Sequence, residues 1–256
     1  MSNAVALKPV EPQAPEYRQA PASVEAEQLA TRIIAERSGV PSYKIRRGDI
    51  IEDERRGIFE FSKITEAARE MQSIPLYIDE TGGISIAQLV SRARRLKRQR
   101  GLDVLFVDYL QLLSASAKKG ENRVQELTEI TTSLKALAKE LQAPVVALSQ
   151  LSRQVENRDD KRPQLSDLRE SGSIEQDADV VIFVYREEYY LKSKKPREGT
   201  DEHLKWMGEM EQAHGKAEVI IGKQRHGPTG TVEVQFEADV TRFSNLAHDE
   251  GLPEQM

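Results

Sequence analysis

The feature that most constrains the fold is a strand, helix, strand pattern over residues 102–151. LDVLFVDYL carries an apolar run of four residues before its second Asp, VQELTEITTSLKALAKELQ repeats apolar residues at helical spacing, and PVVALSQL is a second apolar run. Two such strands joined by a helix pair in parallel, and their lack of polar alternation predicts burial on both faces. The expected fold class is therefore α/β, with a mostly parallel sheet flanked by helices. Further strands are predicted at PLYID (75–79), ADVVIFVY (178–185), AEVIIGKQ (217–224) and TVEVQFEA (231–238). Helices are predicted from Val24 to the stop at Ser38-Gly39-Val40-Pro41, over Asp53 to Ser73, over ISIAQLVSRARRLKRQR before Gly101, and over VQELTEITTSLKALAKELQ with its start at Asn122 or Glu121.

Residues 1–23 mix Pro, Ala and charge without periodicity, and are expected to be a disordered tail that adds little to a core. The folded domain is expected over 24–247, with a second tail at 248–256. The polar connection from Ser152 to Gln176 is long enough to suggest a functional or disordered loop. The charged stretch Glu187 to His214 reads as a surface insertion with some helix around His203 to Met210.

Composition narrows the chemistry. With 0 Cys there are no disulfides or thiolate metal sites, and the 4 His show no zinc-type spacing. No apolar run suits a membrane helix, and the opening residues lack the apolar core of a signal peptide, so a cytoplasmic protein without membrane contact is expected. A net charge of -5 confines any nucleic-acid surface to a local patch.

Asp108 ends the first apolar run, where open α/β sheets place ligands and a carboxylate can hold hydrated Mg²⁺; an Asp capping the next turn would read the same. Gln150 ends the second run, where an amide can orient water or sense a phosphate, or simply bond a loop. In Arg169-Glu170-Ser171-Gly172-Ser173 a guanidinium lies beside a small-residue turn that can cradle a phosphate or cap a helix. Lys223 and Arg225 alternate at a strand end before the turn His226-Gly227-Pro228-Thr229-Gly230, placed either to reach a phosphate in a neighbouring subunit or to be solvated. The densest basic run, Arg92 to Arg100, sits on a helix whose Ile86, Leu89, Val90, Ala93 and Leu96 face a core, so its charges suit a solvated face as well as nucleic acid.

One part is missing. A phosphate loop requires Gly, four residues, then Gly-Lys-Ser/Thr, but the two Gly-Lys pairs here are followed by Ala217 and Gln224.

Taken in order, LDVLFVDYLQLL, APVVALSQLSRQVENRDDKRPQLSDLRESGSIEQDADVVIFVYR and AEVIIGKQRHGPTGTVEVQF resemble the successive motifs of the bacterial replicative DNA helicase, the DnaB family, over roughly residues 26 to 247. The resemblance implies a RecA-like motor domain. Members of that family form a ring-shaped homo-hexamer, use ATP and Mg²⁺ to move 5′ to 3′ along single-stranded DNA, unwind duplex at replication forks, and work with a loader and a primase. It implies that Asp108 is the acid holding Mg²⁺ through water and that Gln150 contacts the γ-phosphate or attacking water. Lys223 and Arg225 would reach the ATP of the adjacent subunit, and Arg169, Glu170 and Gly172 would follow the DNA backbone. The basic helix matches none of the family's DNA-contacting motifs.

The departures lie upstream. In the family the helix beginning EQLATRII follows a strand ending in Ser-Leu-Glu, whose Glu is the catalytic base; here PASVEA precedes Glu27 and Ser23 takes that Glu's place. PEYRQAPASVEAEQ instead resembles the start of the family's N-terminal domain, which suggests a join at Ala26-Glu27-Gln28. The sheet is then expected to be incomplete at its N-terminal strands. The DVLFVDYL strand would keep an open apolar edge that lowers stability and promotes association. Two functional expectations follow: a helicase motor domain that is catalytically defective in this chain, or a non-catalytic DNA-binding and ring-assembly fragment that interferes with intact helicase.

Overall fold

A computed structural model describes residues 3–7, 24–115 and 123–246, with side chains except at 3–7, 24–25 and 169–171. The chain divides into two units at Asp179/Val180. In chain order the first carries β1 (Asn3–Leu7), α1 (Val24–Ser38), α2 (Ser42–Arg47), β2 (Glu52–Asp53), β3 (Ile58–Phe59), α3 (Glu60–Ser73), β4 (Leu76–Asp79), α4 (Ile86–Arg100), β5 (Val104–Asp108), α5 (Arg123–Leu141), β6 (Val145–Ala147) and α6 (Gly172–Asp177). The second carries β7 (Val180–Tyr185), α7 (Glu187–Ser193), α8 (Asp201–Ala213), β8 (Lys216–Gln224), β9 (Gly230–Glu237) and β10 (Arg242–Asn245).

In α5, Leu127, Ile130, Leu134, Leu137 and Leu141 alternate at spacings of three and four, which puts them on one stripe, and all are buried. Helix α4 packs against α5 and buries Ile86, Leu89 and Ala93. Its start is fixed by a capping box: Ser85 Oγ accepts from the Gln88 N–H at 3.3 Å, and Gln88 Oε1 accepts from the Ser85 N–H at 3.1 Å. It stops at Gly101, whose φ of 78° would strain any side-chain-bearing residue. Strands β5 and β6 pair in parallel, with Leu105 opposite Val145 and Val107 opposite Ala147, as the strand, helix, strand pattern requires.

Four sequence expectations are corrected here. Strand β5 is not buried on both faces: Leu105 and Val107 are buried, whereas Val104 and Phe106 are only half-buried because their face lacks a full covering layer. Strand β6 stops at Ala147 rather than running to Leu151. The expected open edge of β5 is absent, because β1 lies antiparallel between β4 and β5, in a sheet of order β4-β1-β5-β6. Unpaired backbone groups on a strand seek a partner, and Asn3–Leu7, inside the stretch expected to be a tail, supplies it. The rest of residues 1–23, and 248–256, lie outside the described residues, as does the expected helix start at Glu121 or Asn122. Among the pairings of named strands β5·β6 is the parallel one, and an isolated parallel bridge joins Ser85 to Ser114. The predicted helix from Asp53 begins at Glu60, because Asp53 Oδ1 instead accepts from the N–H groups of Arg55 and Arg56 in a 3₁₀ turn.

The second unit is an antiparallel meander, β10-β9-β8-β7. Strand β7 buries Val181, Phe183 and Tyr185 on one face and exposes Val180, Ile182 and Val184 on the other. The insertion between β7 and β8 is more ordered than its charge suggested. It folds as α7 and α8, joined by a hydrogen bond from Trp206 Nε1–H to Leu191 O at 2.9 Å, and is anchored by the buried Glu188.

Candidate active-site edge and nucleic-acid loop

The parallel register brings Asp108 and the residues after β6 to the same end of the first sheet. Asp108 is the exposed last residue of β5, and its carboxylate has no hydrogen bond or ion pair among the described residues. Its peptide bond to Tyr109 is cis. Beyond this point β5 and β6 stay linked: the Leu148 N–H donates to Val107 O, and the Leu110 N–H to Leu148 O, both at 2.9 Å.

Gln150, three residues past the end of β6, is exposed and held by a side chain that sequence reasoning missed. Gln111 Oε1 accepts from the Gln150 N–H at 3.2 Å, while Gln111 Nε2 donates to Ser149 Oγ at 2.9 Å and to Gln150 O at 3.3 Å. One amide thereby replaces the lost strand ladder. Gln111 is fixed in turn by Arg123, which donates to its carbonyl at 2.8 Å and pairs with Glu126. Glu126 also accepts from the Ala115 N–H at 3.2 Å. The signal available in the sequence was a lone polar residue inside YLQLL, three positions after Asp108.

The connection after Gln150 is built rather than loose. It holds two 3₁₀ segments, Arg153–Asn157 and Leu165–Ser171, the second running directly into α6. Val155 and Leu168 are buried beneath it. The Arg169 to Ser173 stretch is therefore not an open turn but a 3₁₀-to-α junction, with Gly172 in ordinary right-handed helical geometry. A Cβ at Gly172 would meet nothing within 4 Å, so this chain's own packing does not require glycine there. Downstream, Asp177 is tied to α5: its carboxylate accepts from Thr131 Oγ1 at 2.6 Å and Thr132 Oγ1 at 3.3 Å, and its carbonyl from Lys135 Nζ at 3.0 Å.

Lys223 and Arg225 lie in the second unit. Lys223 is the penultimate residue of β8, opposite Val181, and Arg225 is exposed just past the strand end in the β8–β9 turn. The side chain of Gln224 packs so closely on Gly227 that an added Cβ there would lie 2.6 Å from its amide.

The basic face of α4 is largely committed to partners. Arg92 Nη1 donates to Asp79 Oδ2 at 2.5 Å and Thr81 Oγ1 at 2.7 Å. Burial pushes the Asp79 carboxyl up, but hydrogen bonds from Arg92 and Thr81 outweigh it and hold the group below its usual value. Arg94 makes a two-pronged pair with Glu140 at 2.6 and 2.7 Å, and Lys97 donates to Leu102 O at 2.9 Å. A solvated, paired face fits this geometry better than a DNA track.

No group of three or more His, Asp or Glu side chains suited to holding a metal exists among the described residues. One exposed carboxylate at a strand end, Asp108, does suit a hydrated Mg²⁺ held mainly by water and a ligand. ATP fits less well, because no phosphate loop is present to hold its phosphates.

Residues 15–245 match the family described as the DnaB-like helicase C terminal domain. The chain is 45% identical over 223 residues to the replicative DNA helicase DnaB of Rickettsia prowazekii, covering 87% of this chain and 44% of the relative. To the replicative DNA helicase DnaC of Bacillus subtilis it is 41% identical over 231 residues, covering 89% of this chain and 46% of the relative. It thus spans less than half the length of these relatives. Among solved structures, one described as an ATPase domain aligns with a TM-score of 0.70 at 37% identity, covering 86% of this chain and 70% of that one. A DnaB-like replicative helicase, solved in a study of its interactions with primase, aligns with a TM-score of 0.69 at 36% identity, covering 88% and 48%.

Proposed function

Since the chain belongs to the DnaB-like helicase C terminal domain family and its fold is an incomplete RecA-like α/β fold, we propose that it is a replicative-helicase motor domain defective in its own ATP turnover. In this reading it retains the DNA loop and the side chains that act across a subunit ring. The observation that carries it is a combination: Asp108 and the Gln111-held Gln150 share one sheet end, yet none of the 256 residues forms a phosphate loop. The side chains that would answer to a bound nucleotide are present, and the backbone cradle that would hold it is not.

Within this reading Asp108 orients Mg²⁺ through water, which would supply charge neutralisation at phosphate, and Gln150 senses phosphate or water beside it. Arg169, Glu170 and Gly172 follow the single-stranded DNA backbone, a contact that needs no base readout. Lys223 and Arg225 reach nucleotide bound by the next subunit of a homo-hexamer. A loader and a primase are the further partners that membership of the family implies. A cytoplasmic site of action is part of the proposal, and no described helix is long and apolar enough to cross a membrane. The absent segment would have lain at a join at Ala26-Glu27-Gln28, through which α1 runs without a break. Sequencing the coding DNA on both sides tests that point, and a continuous gene with no upstream counterpart would end it.

The functional test uses the purified chain with Mg²⁺-ATP and single-stranded DNA. No phosphate release is expected from the chain alone, and reduced unwinding is expected when it is added in excess to an intact DnaB-type helicase. Robust DNA-stimulated phosphate release would instead establish a working motor. Unchanged unwinding at large excess would remove the ring-assembly reading.

A further inference from the structure

The segment bearing Arg169, Glu170 and Gly172 is held at its entrance by one ion pair, its acid buried and its base partly exposed, that the functional reading does not use. Asp167 is 5% exposed, and Arg158 grips both its oxygens, Nη1 to Oδ1 and Nη2 to Oδ2, each at 2.9 Å. The same guanidinium donates from Nη2 to Arg162 O at 2.8 Å and from Nε to Asp160 O at 3.3 Å. It therefore staples three points of the loop at once. Asp167 Oδ2 accepts a further bond from the Gln164 N–H at 2.8 Å, which fixes the first turn of the 3₁₀ segment Leu165–Ser171.

The backbone of Asp167 supplies the connection that matters. Its carbonyl accepts from the Ser152 N–H at 3.0 Å, and Ser152 lies two residues after Gln150. One residue thus touches the strand-end segment through its carbonyl and the loop scaffold through its carboxylate, and two positions later the chain reaches Arg169. A planar, two-pronged guanidinium-carboxylate pair fixes direction as well as distance, which a lone lysine contact would not.

Resting on the proposed DNA-loop reading, we infer that Arg158 and Asp167 form a positioning pair that sets the register of Arg169, Glu170 and Gly172 relative to Gln150. Removing Arg158 leaves the buried Asp167 carboxylate uncompensated, removing the charge of Asp167 leaves Arg158 without its two-pronged partner, and either change frees the Leu165–Ser171 turn to shift. Neither residue contacts DNA in this inference; both act through the loop they hold.

The test uses the full chain and the variants Asp167→Asn, Arg158→Ala, Arg158→Lys and Asp167→Glu. The first readout, amide hydrogen exchange without DNA, should show exchange at Ser152 and Gln164–Gly172 about tenfold faster in Asp167→Asn and Arg158→Ala, with α4 and α5 unchanged, as loss of a charged hydrogen bond implies. The second, anisotropy of a fluorescein-labelled oligo(dT), should show affinity reduced about tenfold in the same two variants. Asp167→Glu is expected to recover part of both losses, and Arg158→Lys, which loses the second prong, to recover little. Unchanged exchange at 164–172, or faster exchange spread evenly over the first unit, overturns the inference. So does normal DNA affinity in Asp167→Asn when the parent chain binds. Should the parent chain not bind oligo(dT), the DNA-loop reading itself fails, while the exchange data still decide whether the pair positions the loop.

Discussion

Glu188→Gln in α7 offers a sharp test of the second unit, because a buried carboxylate there meets two cationic side chains and a histidine. Glu188 is 3% exposed; it accepts from Lys192 at 2.8 Å and Arg186 at 3.0 Å, and its Oε1 lies 3.1 Å from His214 Nδ1. Arg186 also stacks its guanidinium 4.1 Å from the centre of the Phe236 ring. Burial pushes the Glu188 carboxyl up, but hydrogen bonds from Lys192, His214 and Arg186 outweigh it and bring it from 4.5 down to about 2. A carboxyl depressed on folding stabilises above its unfolded value and loses that contribution as pH falls toward its folded value. At about 1.4 kcal/mol per unit, the lowered value corresponds to about 3.5 kcal/mol at pH 7. Glu188→Gln is therefore expected to cost about that much at pH 7 and only about 1 to 1.5 kcal/mol at pH 3, where the parent carboxylate is itself losing its advantage. The assay is urea unfolding followed by the fluorescence of Trp206, the chain's single tryptophan, whose indole bridges α8 to α7. A gap below about 1 kcal/mol at pH 7, or one independent of pH between 7 and 3, would refute the reasoning.

Ile130→Ala, at a fully buried position on α5, should lower the stability of the first unit by about 3 to 4 kcal/mol in denaturant unfolding followed by hydrogen exchange of α5. Arg94→Ala removes only a half-exposed pair with Glu140, so it should cost less than about 1 kcal/mol and leave oligo(dT) affinity unchanged; a clear loss of DNA binding would reinstate α4 as a DNA surface. Gln111→Leu keeps the apolar volume but removes the amide holding Ser149 and Gln150, and should raise exchange at the Gln150 amide while leaving that of Leu105 and Val107 slow.

Long-range periodic signals were legible in the sequence, and pairwise polar geometry was not. The α4 and α5 stripes, the β5–β6 parallel pair and the β7, β8 and β9 strands follow from apolar spacing, because burying those side chains dominates their local choice. Asp108 was legible as a strand-end residue for the same reason, whereas Gln150, expected at the end of the next strand, lies three residues past it. The end of β6 was not, since its apolar lettering continues through Leu148 while the backbone is taken over by Gln111, 38 residues before Ser149. The Arg158–Asp167 pair was hidden in a run of like-looking charged residues where composition cannot say which cation meets which acid. Strand β1 was missed because five residues flanked by Pro-rich sequence carry no periodic signal; its partners, far along the chain, determine its conformation.

Strand β7 shapes how the protein behaves in a tube. Val180, Ile182 and Val184 are each about half exposed, and their branched side chains hold the strand extended whether or not anything covers them. Completing their burial is worth about 1 kcal/mol apiece, so anything that lays an apolar layer on this face gains on the order of 3 kcal/mol. Purified material should consequently scatter more light as it is concentrated or as ammonium sulfate is added, and mild detergent should reverse this. Val184→Thr, which keeps the branched shape and adds a hydroxyl, should raise the concentration at which turbidity begins. The strand's inward face writes the fold, and its outward face sets the colloid.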